Sequence, residues 1–179
     1  EEGRKALMEA VLAQGTPCVL VNNAGIDKPH EPALMVSEAS YDKIMDTNLR
    51  GPLFLMRDFA KEMARNESGV IVNISSILAR KAVVGSGVYR ASKAALEALT
   101  LQFAYELGPK GLRVVAVAPG FIETAMTASI PEEQRAGIKK GVALGAFGAP
   151  EAVAETVWHA IENQYLNGAV IAVDGGMAL

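Results

Sequence analysis

Apolar residues in this chain fall into two alternating patterns. Short, mostly apolar runs occupy residues 18–21, 70–74, 112–118 and 169–173, and between them apolar positions recur every third or fourth residue. Short runs bounded by glycine or proline read as strands, and the longer periodic stretches as helices with one buried stripe. Ala6, Leu7, Ala10 and Val11 predict a first helix ending at Gly15. Ser37 can cap the next turn, and a long helical stretch covers residues 41–64, with Pro52 bending or interrupting it. Further helices are predicted over 89–107 and 150–162, and 121–147 reads as a lid-like segment. Strands alternating with helices in this way give a parallel α/β sheet with helices on both faces, a single domain over residues 1–179, and ligands at the carboxyl ends of the strands. The unbroken run at 18–21 predicts a strand covered on both faces.

Composition narrows the class. Half of the residues are hydrophobic, 21% are charged and the formal charge is −3, so the chain is ordinary globular material with no basic tract for nucleic acid or an anionic membrane. No apolar stretch approaches the ~20 residues of a membrane-spanning helix. The single cysteine, Cys18, cannot form an internal disulfide and is expected as a small core residue in a reducing compartment. His30 and His159 share no motif with each other or with paired carboxylates, so no metal site is expected. Trp158 is expected in the core or at an interface.

Candidate chemistry centres on Tyr89 and Lys93, four residues apart on a predicted helix, with Ser76 thirteen residues ahead of Tyr89. Side chains at i and i+4 point the same way from consecutive turns, so the ammonium can stand beside the phenol and is expected to lower its pKa toward the working range. A lone pair of this kind is common in surface helices, and its surroundings decide. Asn22-Asn23-Ala24-Gly25 follows the run 18–21, Asn48 lies in Asp46-Thr47-Asn48, Ser76 ends Val72-Asn73-Ile74-Ser75-Ser76, and Pro119-Gly120-Phe121-Ile122-Glu123-Thr124 closes the run 112–118. Ser75 is an alternative to Ser76, Asn48 alone would be a helix-kink residue, Asn22 can simply end a strand, and Pro119-Gly120 can be a plain turn. Met126, Ile130 and Phe147 either line a tunnel or pack a lid on the sheet.

These motifs, in this order and spacing, resemble the short-chain dehydrogenase/reductase family over nearly the whole chain. The 3-oxoacyl-acyl-carrier-protein reductases are most similar, through residues 119–127 and the ending Val173-Asp174-Gly175-Gly176-Met177. The resemblance implies a Rossmann-like doubly wound parallel sheet and hydride transfer between a nicotinamide cofactor, NADP(H) favoured with NAD(H) as the alternative, and a carbonyl or secondary alcohol. By resemblance, Tyr89 is the proton donor, Ser76 holds the substrate oxygen, Lys93 lowers the Tyr89 pKa and binds the nicotinamide ribose, and Asn48 holds a relay water. Asn22, Ala24, Gly25, Tyr89, Lys93, Pro119, Gly120, Ile122 and Thr124 are the implied cofactor contacts. The substrate is a 3-oxoacyl thioester of fatty acid synthesis or, alternatively, a small free carbonyl, sugar alcohol or steroid-like compound. An acyl carrier protein partner is implied, although of two positions that carry basic residues in the resembling reductases one aligns with Lys110 and the other with Glu67, with Arg65 nearby. A homotetramer or homodimer built on the helices around 45–63 and 96–107, and a cytoplasmic or organelle-matrix location, complete the expectations.

Family members open with a strand and a glycine-rich turn well before Asn-Asn-Ala-Gly, whereas here that motif starts at residue 22. The sequence therefore reads as lacking the first β-α-β-α-β portion. Gly85-Ser86-Gly87 departs from a phosphate-loop spacing and reads as a flexible approach to Tyr89. Taken alone, the polypeptide is expected to bind cofactor weakly, and an inactive oligomerisation fragment is the reading from a different class.

Overall fold

The computed structural model describes residues 2–28 and 31–178; Pro29 and His30, one of the two histidines weighed above, lie outside the described residues. The four predicted strands form one parallel sheet in the order β1 (Val19–Asn22), β2 (Gly69–Ile74), β3 (Leu112–Pro119) and β4 (Val170–Val173). Parallel neighbours need crossovers, and these are supplied by α2 (Glu38–Met45) and α3 (Gly51–Met63), then α4 (Gly87–Leu107), then α5 (Ala125–Ala128), α6 (Glu132–Lys140) and α7 (Pro150–Glu162). Met56 and Phe59 of α3 and Leu96 and Ala104 of α4 pack on Leu20, Ile71 and Val114, with Met8 and Val11 of α1 (Glu2–Leu12) at the margin. Ala160 of α7 and its neighbours cover Val70, Val72, Val115 and Val117 on the opposite face.

Three expectations are corrected. The run at 18–21 is an edge strand with one covered face, because Val19 and Val21 are 36% and 40% exposed while Leu20 and Asn22 are buried. Val19 and Val21 share the face of Val70 and Val72, but the α7 cluster stops at β2. Cys18 accordingly is exposed, not a core residue. The predicted helix over 41–64 is divided by a π-turn at Asp46–Arg50, and Pro52 sits in the first turn of α3. Proline offers no N–H to the preceding turn, and the mismatch is absorbed upstream, where the Gly51 N–H reaches back five residues to the Asp46 carbonyl. The expected cap holds: Ser37 Oγ accepts the Ser40 N–H at 3.2 Å.

A buried polar chain ties the strand ends to the helices. Asn22 Nδ2 donates to Asn73 Oδ1 at 2.8 Å, Asn73 Nδ2 donates to Thr100 Oγ1 at 2.9 Å, and Thr100 Oγ1 donates to the Leu96 carbonyl at 2.8 Å. Each link satisfies a group that would otherwise be buried without a partner. At the opposite end of the strands, Gly111 (φ +76°) lies so close to the preceding turn that an added Cβ would stand 2.0 Å from the Glu67 carbonyl oxygen. Gly111→Ala is therefore expected to cost roughly 2–4 kcal/mol by backbone strain and overpacking. Denaturant unfolding checks this, and a loss below about 0.5 kcal/mol would contradict the close approach.

Candidate active site

The carboxyl ends of β1, β2 and β3 deliver three of the motifs to one edge of the sheet, and the first turns of α4 bring Tyr89 and Lys93 over them. Together they line a cleft of about 810 Å³ that includes Ala24, Gly25, Ser76, Tyr89 and Lys93 on one side and Pro119, Gly120, Ile122 and Thr124 on the other. Lys93 is 3% exposed, and its Nζ donates to the Ile74 carbonyl at 2.7 Å, leaving two ammonium donors for the cleft. Nζ stands 5.7 Å from the centre of the Tyr89 ring. The two serines separate cleanly. Ser75 Oγ is committed to Glu97 Oε1 at 2.9 Å, and Glu97 in turn accepts from Arg80 Nε at 3.1 Å, whereas Ser76 Oγ accepts the Leu78 N–H at 3.2 Å and faces the Tyr89 phenol.

The expected acidification of Tyr89 is not what this cleft provides. Burial holds the phenol above its ordinary pKa; hydrogen bonding to Ser76 works in the opposite direction, and the negative charge of Asp27 adds to the rise. Burial also pulls Lys93 down to about 8, so at neutral pH it still carries its charge but with little margin. The same desolvation that would make Lys93 effective on a neighbour weakens its own ionisation.

Asn48 is fully buried in the π-turn and clamps the loop after β1: its Oδ1 accepts the Ile26 N–H and its Nδ2 donates to the Ile26 carbonyl, both at 2.8 Å, with a second donation to Ser92 Oγ at 3.2 Å. A Cβ on Gly25 would lie 3.3 Å from Lys93 Nζ and 3.5 Å from Asn48 Oδ1, so the glycine brings backbone against both. Asn22 is set apart from the cleft wall, its amide spent on Asn73, while Asn23 lines the cleft. The Gly120 N–H donates to the Val173 carbonyl at 2.9 Å, and an added Cβ there would meet Asp174 Cα at 2.8 Å. Ile122 is buried and paired by a single bridge to Gly148. The N–H of Thr124 donates to Thr127 Oγ1 at 3.0 Å at the start of α5.

The segment 121–147 folds over the site as α5 and α6 and encloses a second compartment of about 500 Å³. Ser76 and Tyr89 line both spaces. The second is largely apolar, with Ile77, Val84, Phe121, Met126, Ile130 and Ile138 among its lining. Phe147, considered with Met126 and Ile130 as a tunnel residue, instead packs 5.5 Å from Phe121 under the Arg135 guanidinium. Arg135 fastens this cover: it donates to both Glu123 carboxylate oxygens at 2.7 Å and to the Thr127 carbonyl at 3.0 Å. Glu67 and Lys110 lie in the turns before β2 and β3, at the opposite end of the strands from Ser76. Sequence reasoning missed Asn73, Thr100, Asp27 and Arg135; an asparagine within an apolar strand run was the one available signal, at Asn73. Among the described residues no three His, Cys, Asp or Glu side chains are grouped to hold a metal ion. No helix among them is long and apolar enough to cross a membrane.

The same arrangement recurs in known proteins. The family model described as enoyl-(acyl carrier protein) reductase matches residues 1–178. A 3-oxoacyl-[acyl-carrier-protein] reductase of Rickettsia felis is 40% identical over 163 residues, covering 90% of this chain and 67% of the relative. A 4-hydroxyisoleucine dehydrogenase complexed with NADH and succinate superposes with a TM-score of 0.88 at 32% identity, over 97% of this chain and 73% of the other. A structure provisionally described as a 2-deoxy-D-gluconate 3-dehydrogenase from Agrobacterium tumefaciens with bound NADP gives 0.86 at 33% identity, over 89% and 67%. With its motifs gathered on one sheet edge and this match over nearly all its residues, the chain belongs to the short-chain dehydrogenase/reductase family of nicotinamide-dependent oxidoreductases.

Proposed function

We propose that this protein reduces the 3-oxo group of an acyl thioester to the 3-hydroxyl, with NADP(H) favoured as reductant and NAD(H) as the alternative. The observation that carries this is the shared wall: the Ser76 and Tyr89 hydroxyls stand between a large cleft lined by the buried Lys93 and a mainly apolar second compartment. The donor set fits the nicotinamide half of a dinucleotide. Lys93 and Tyr89 would hold its ribose, Ile122 and Thr124 would hold its carboxamide and phosphate end, and Val153 and Val157, which line the cleft, would give its flat ring an apolar wall. A bound reduced nicotinamide supplies the hydride. The protein's own part is to orient the carbonyl and manage the proton. Ser76 holds the carbonyl oxygen as a hydrogen-bond donor, and the phenol of Tyr89, kept protonated by its burial, gives its proton to that oxygen as negative charge develops. Lys93 stabilises the resulting phenolate, and Asn48, which shares the Gly25 backbone with Lys93 as a neighbour, is assigned the return of a proton from solvent.

The apolar second compartment favours an acyl chain over a polyol. The runner-up, a small free carbonyl or sugar-alcohol substrate, has in its support the small-molecule dehydrogenases among the similar structures and the remoteness of Glu67 and Lys110 from the cleft. A panel of 3-oxoacyl thioesters, simple ketones and sugar acids, compared by kcat/KM with both cofactors, decides between them. A preference of at least about tenfold for the thioesters, the order expected from added apolar contacts, supports the proposal; equal or better use of sugar acids overturns it. Assembly as a homotetramer or homodimer through α3 and α4 belongs to this reading, supported by Leu101 and Tyr105, which are 54% and 84% exposed on α4. Light scattering at micromolar concentration is expected to show at least a dimer, and a monomer would exclude it.

A further inference from the structure

Among the described residues two charged side chains are buried, Lys93 and Glu97, and they stand one helical turn apart on α4. With Tyr89 they fall at i, i+4 and i+8, so one stripe of the helix carries all three. Tyr89 and Lys93 line the cleft, whereas Glu97 lines neither space. A carboxylate taken out of water costs stability unless it is paired and hydrogen-bonded. Glu97 spends its two oxygens on one short segment: the Ser75 hydroxyl donates to Oε1 at 2.9 Å and Arg80 Nε donates to Oε2 at 3.1 Å. Between these anchors lie Ser76 and the single turn Ile77–Ala79. Bonds inside the segment shape it, since Ser76 Oγ accepts the Leu78 N–H at 3.2 Å and the Ser76 carbonyl accepts the Ala79 N–H at 3.0 Å. The Ser75 N–H ties it to β3 through the Val117 carbonyl at 2.7 Å. Its tie to the helix that carries Tyr89 runs through Ser75, whose one hydroxyl hydrogen has Glu97 as the near acceptor and the Lys93 carbonyl, at 3.4 Å, as the far one, and through Arg80.

We propose that Glu97 is a positioning residue for the reaction: it clamps both ends of the Ser76 turn to α4 and so sets where the Ser76 hydroxyl stands relative to the Tyr89 phenol, without touching substrate or cofactor itself. This rests on the roles given to Ser76 and Tyr89 above. One carbonyl oxygen has to meet both hydroxyls at once, and the two arrive on different elements, Ser76 after β2 and Tyr89 in the first turns of α4. A carboxylate on the second element that grips the first on either side of its serine makes the pair a single unit. Displacement of one partner by about 1 Å is enough to cost up to roughly 10² in rate. The adjacent serines thus divide the work, Ser75 being held and Ser76 holding.

The test is a double-mutant cycle that pairs Glu97→Ala with Ser76→Ala, read as kcat on a 3-oxoacyl thioester or ketone that the unaltered protein reduces, with cofactor affinity and thermal unfolding measured on each variant. Glu97→Ala is expected to lower kcat roughly ten- to a hundredfold while Ser76 is present and by less than about twofold once Ser76 has been replaced, with cofactor affinity held within about twofold throughout. A merely structural role gives the same factor in both backgrounds, because a lost folded fraction or an altered field at Lys93 acts with or without the serine. That result overturns the proposal, as does a kcat within about twofold of the original in Glu97→Ala. Should the alanine variant fold poorly, Glu97→Gln enters the same cycle under the same criterion; its amide oxygen still accepts from Ser75 while the ion pair with Arg80 is lost, so part of the loss is expected to be recovered. A Ser76→Ala variant with undiminished kcat would instead remove the role of Ser76, and this inference with it. No reduction of any carbonyl compound by the unaltered protein would remove the reductase reading beneath both.

Discussion

Tyr89→Phe is expected to lower turnover by roughly 10²–10⁴ while leaving cofactor affinity within a factor of about two, the signature of a lost general acid. The substitution removes one oxygen from the wall between the two compartments and preserves the ring that packs near Lys93. Because burial keeps the phenol protonated, its removal deletes the proton source and not a standing charge, so binding has little to lose. Ser76 remains to orient the carbonyl and cannot replace a donor poised against Lys93. Steady-state kinetics alongside a fluorescence titration with reduced cofactor separate the two effects, and turnover retained within threefold would remove Tyr89 from its assigned role.

Lys93→Met is expected to damage both quantities, since the ammonium is proposed to serve the phenolate and the cofactor ribose together. Its pH behaviour is distinctive. The Lys93 charge is present below about 8 and lost as the pH rises through that value, so affinity for an anionic cofactor falls above about pH 8. In Lys93→Met that slope disappears and affinity is low throughout. Stability changes in the other direction. A lysine whose folded pKa lies below its unfolded value costs stability wherever the pH is below the folded value, and the cost fades between about 8 and about 10.4. At pH 6–7 the methionine variant is thus expected to be at least as resistant to denaturant as the unaltered protein while being far less active, a trade typical of buried functional charges. Affinity that still declines through pH 8 in Lys93→Met would assign the titration to another group.

The parallel sheet and the positions of the motifs at strand ends were legible because apolar runs, glycines and prolines act locally. The same local reading misjudged β1, since the run of four apolar residues cannot reveal whether a helix covers its second face; that depends on how far α7 reaches. It placed the helix break at Pro52, the residue that causes it, although the distortion is taken up in the preceding turn around Asn48. At the site, the spacing of Ser76, Tyr89 and Lys93 was informative because helix geometry converts it directly into proximity. The electrostatics were not. Whether a lysine lowers a neighbouring tyrosine depends on how deeply both are buried, and burial is a tertiary property. Arg135 escaped notice for a related reason, as its importance lies in how its own segment, 121–147, folds to bring Glu123 and Thr127 against it.

Hydride transfer from the reduced nicotinamide to the 3-oxo carbon can be followed by isotope labelling. The protein is supplied with cofactor deuterated at the transferable position of the reduced nicotinamide and with a 3-oxoacyl thioester, and the product is examined by mass spectrometry. One deuterium is expected on C3 of a 3-hydroxyacyl thioester, formed with the unaltered protein and slowed by roughly 10²–10⁴ in Tyr89→Phe. Cofactor that remains unconsumed, or a 3-hydroxyacyl product without the label, would contradict this transfer.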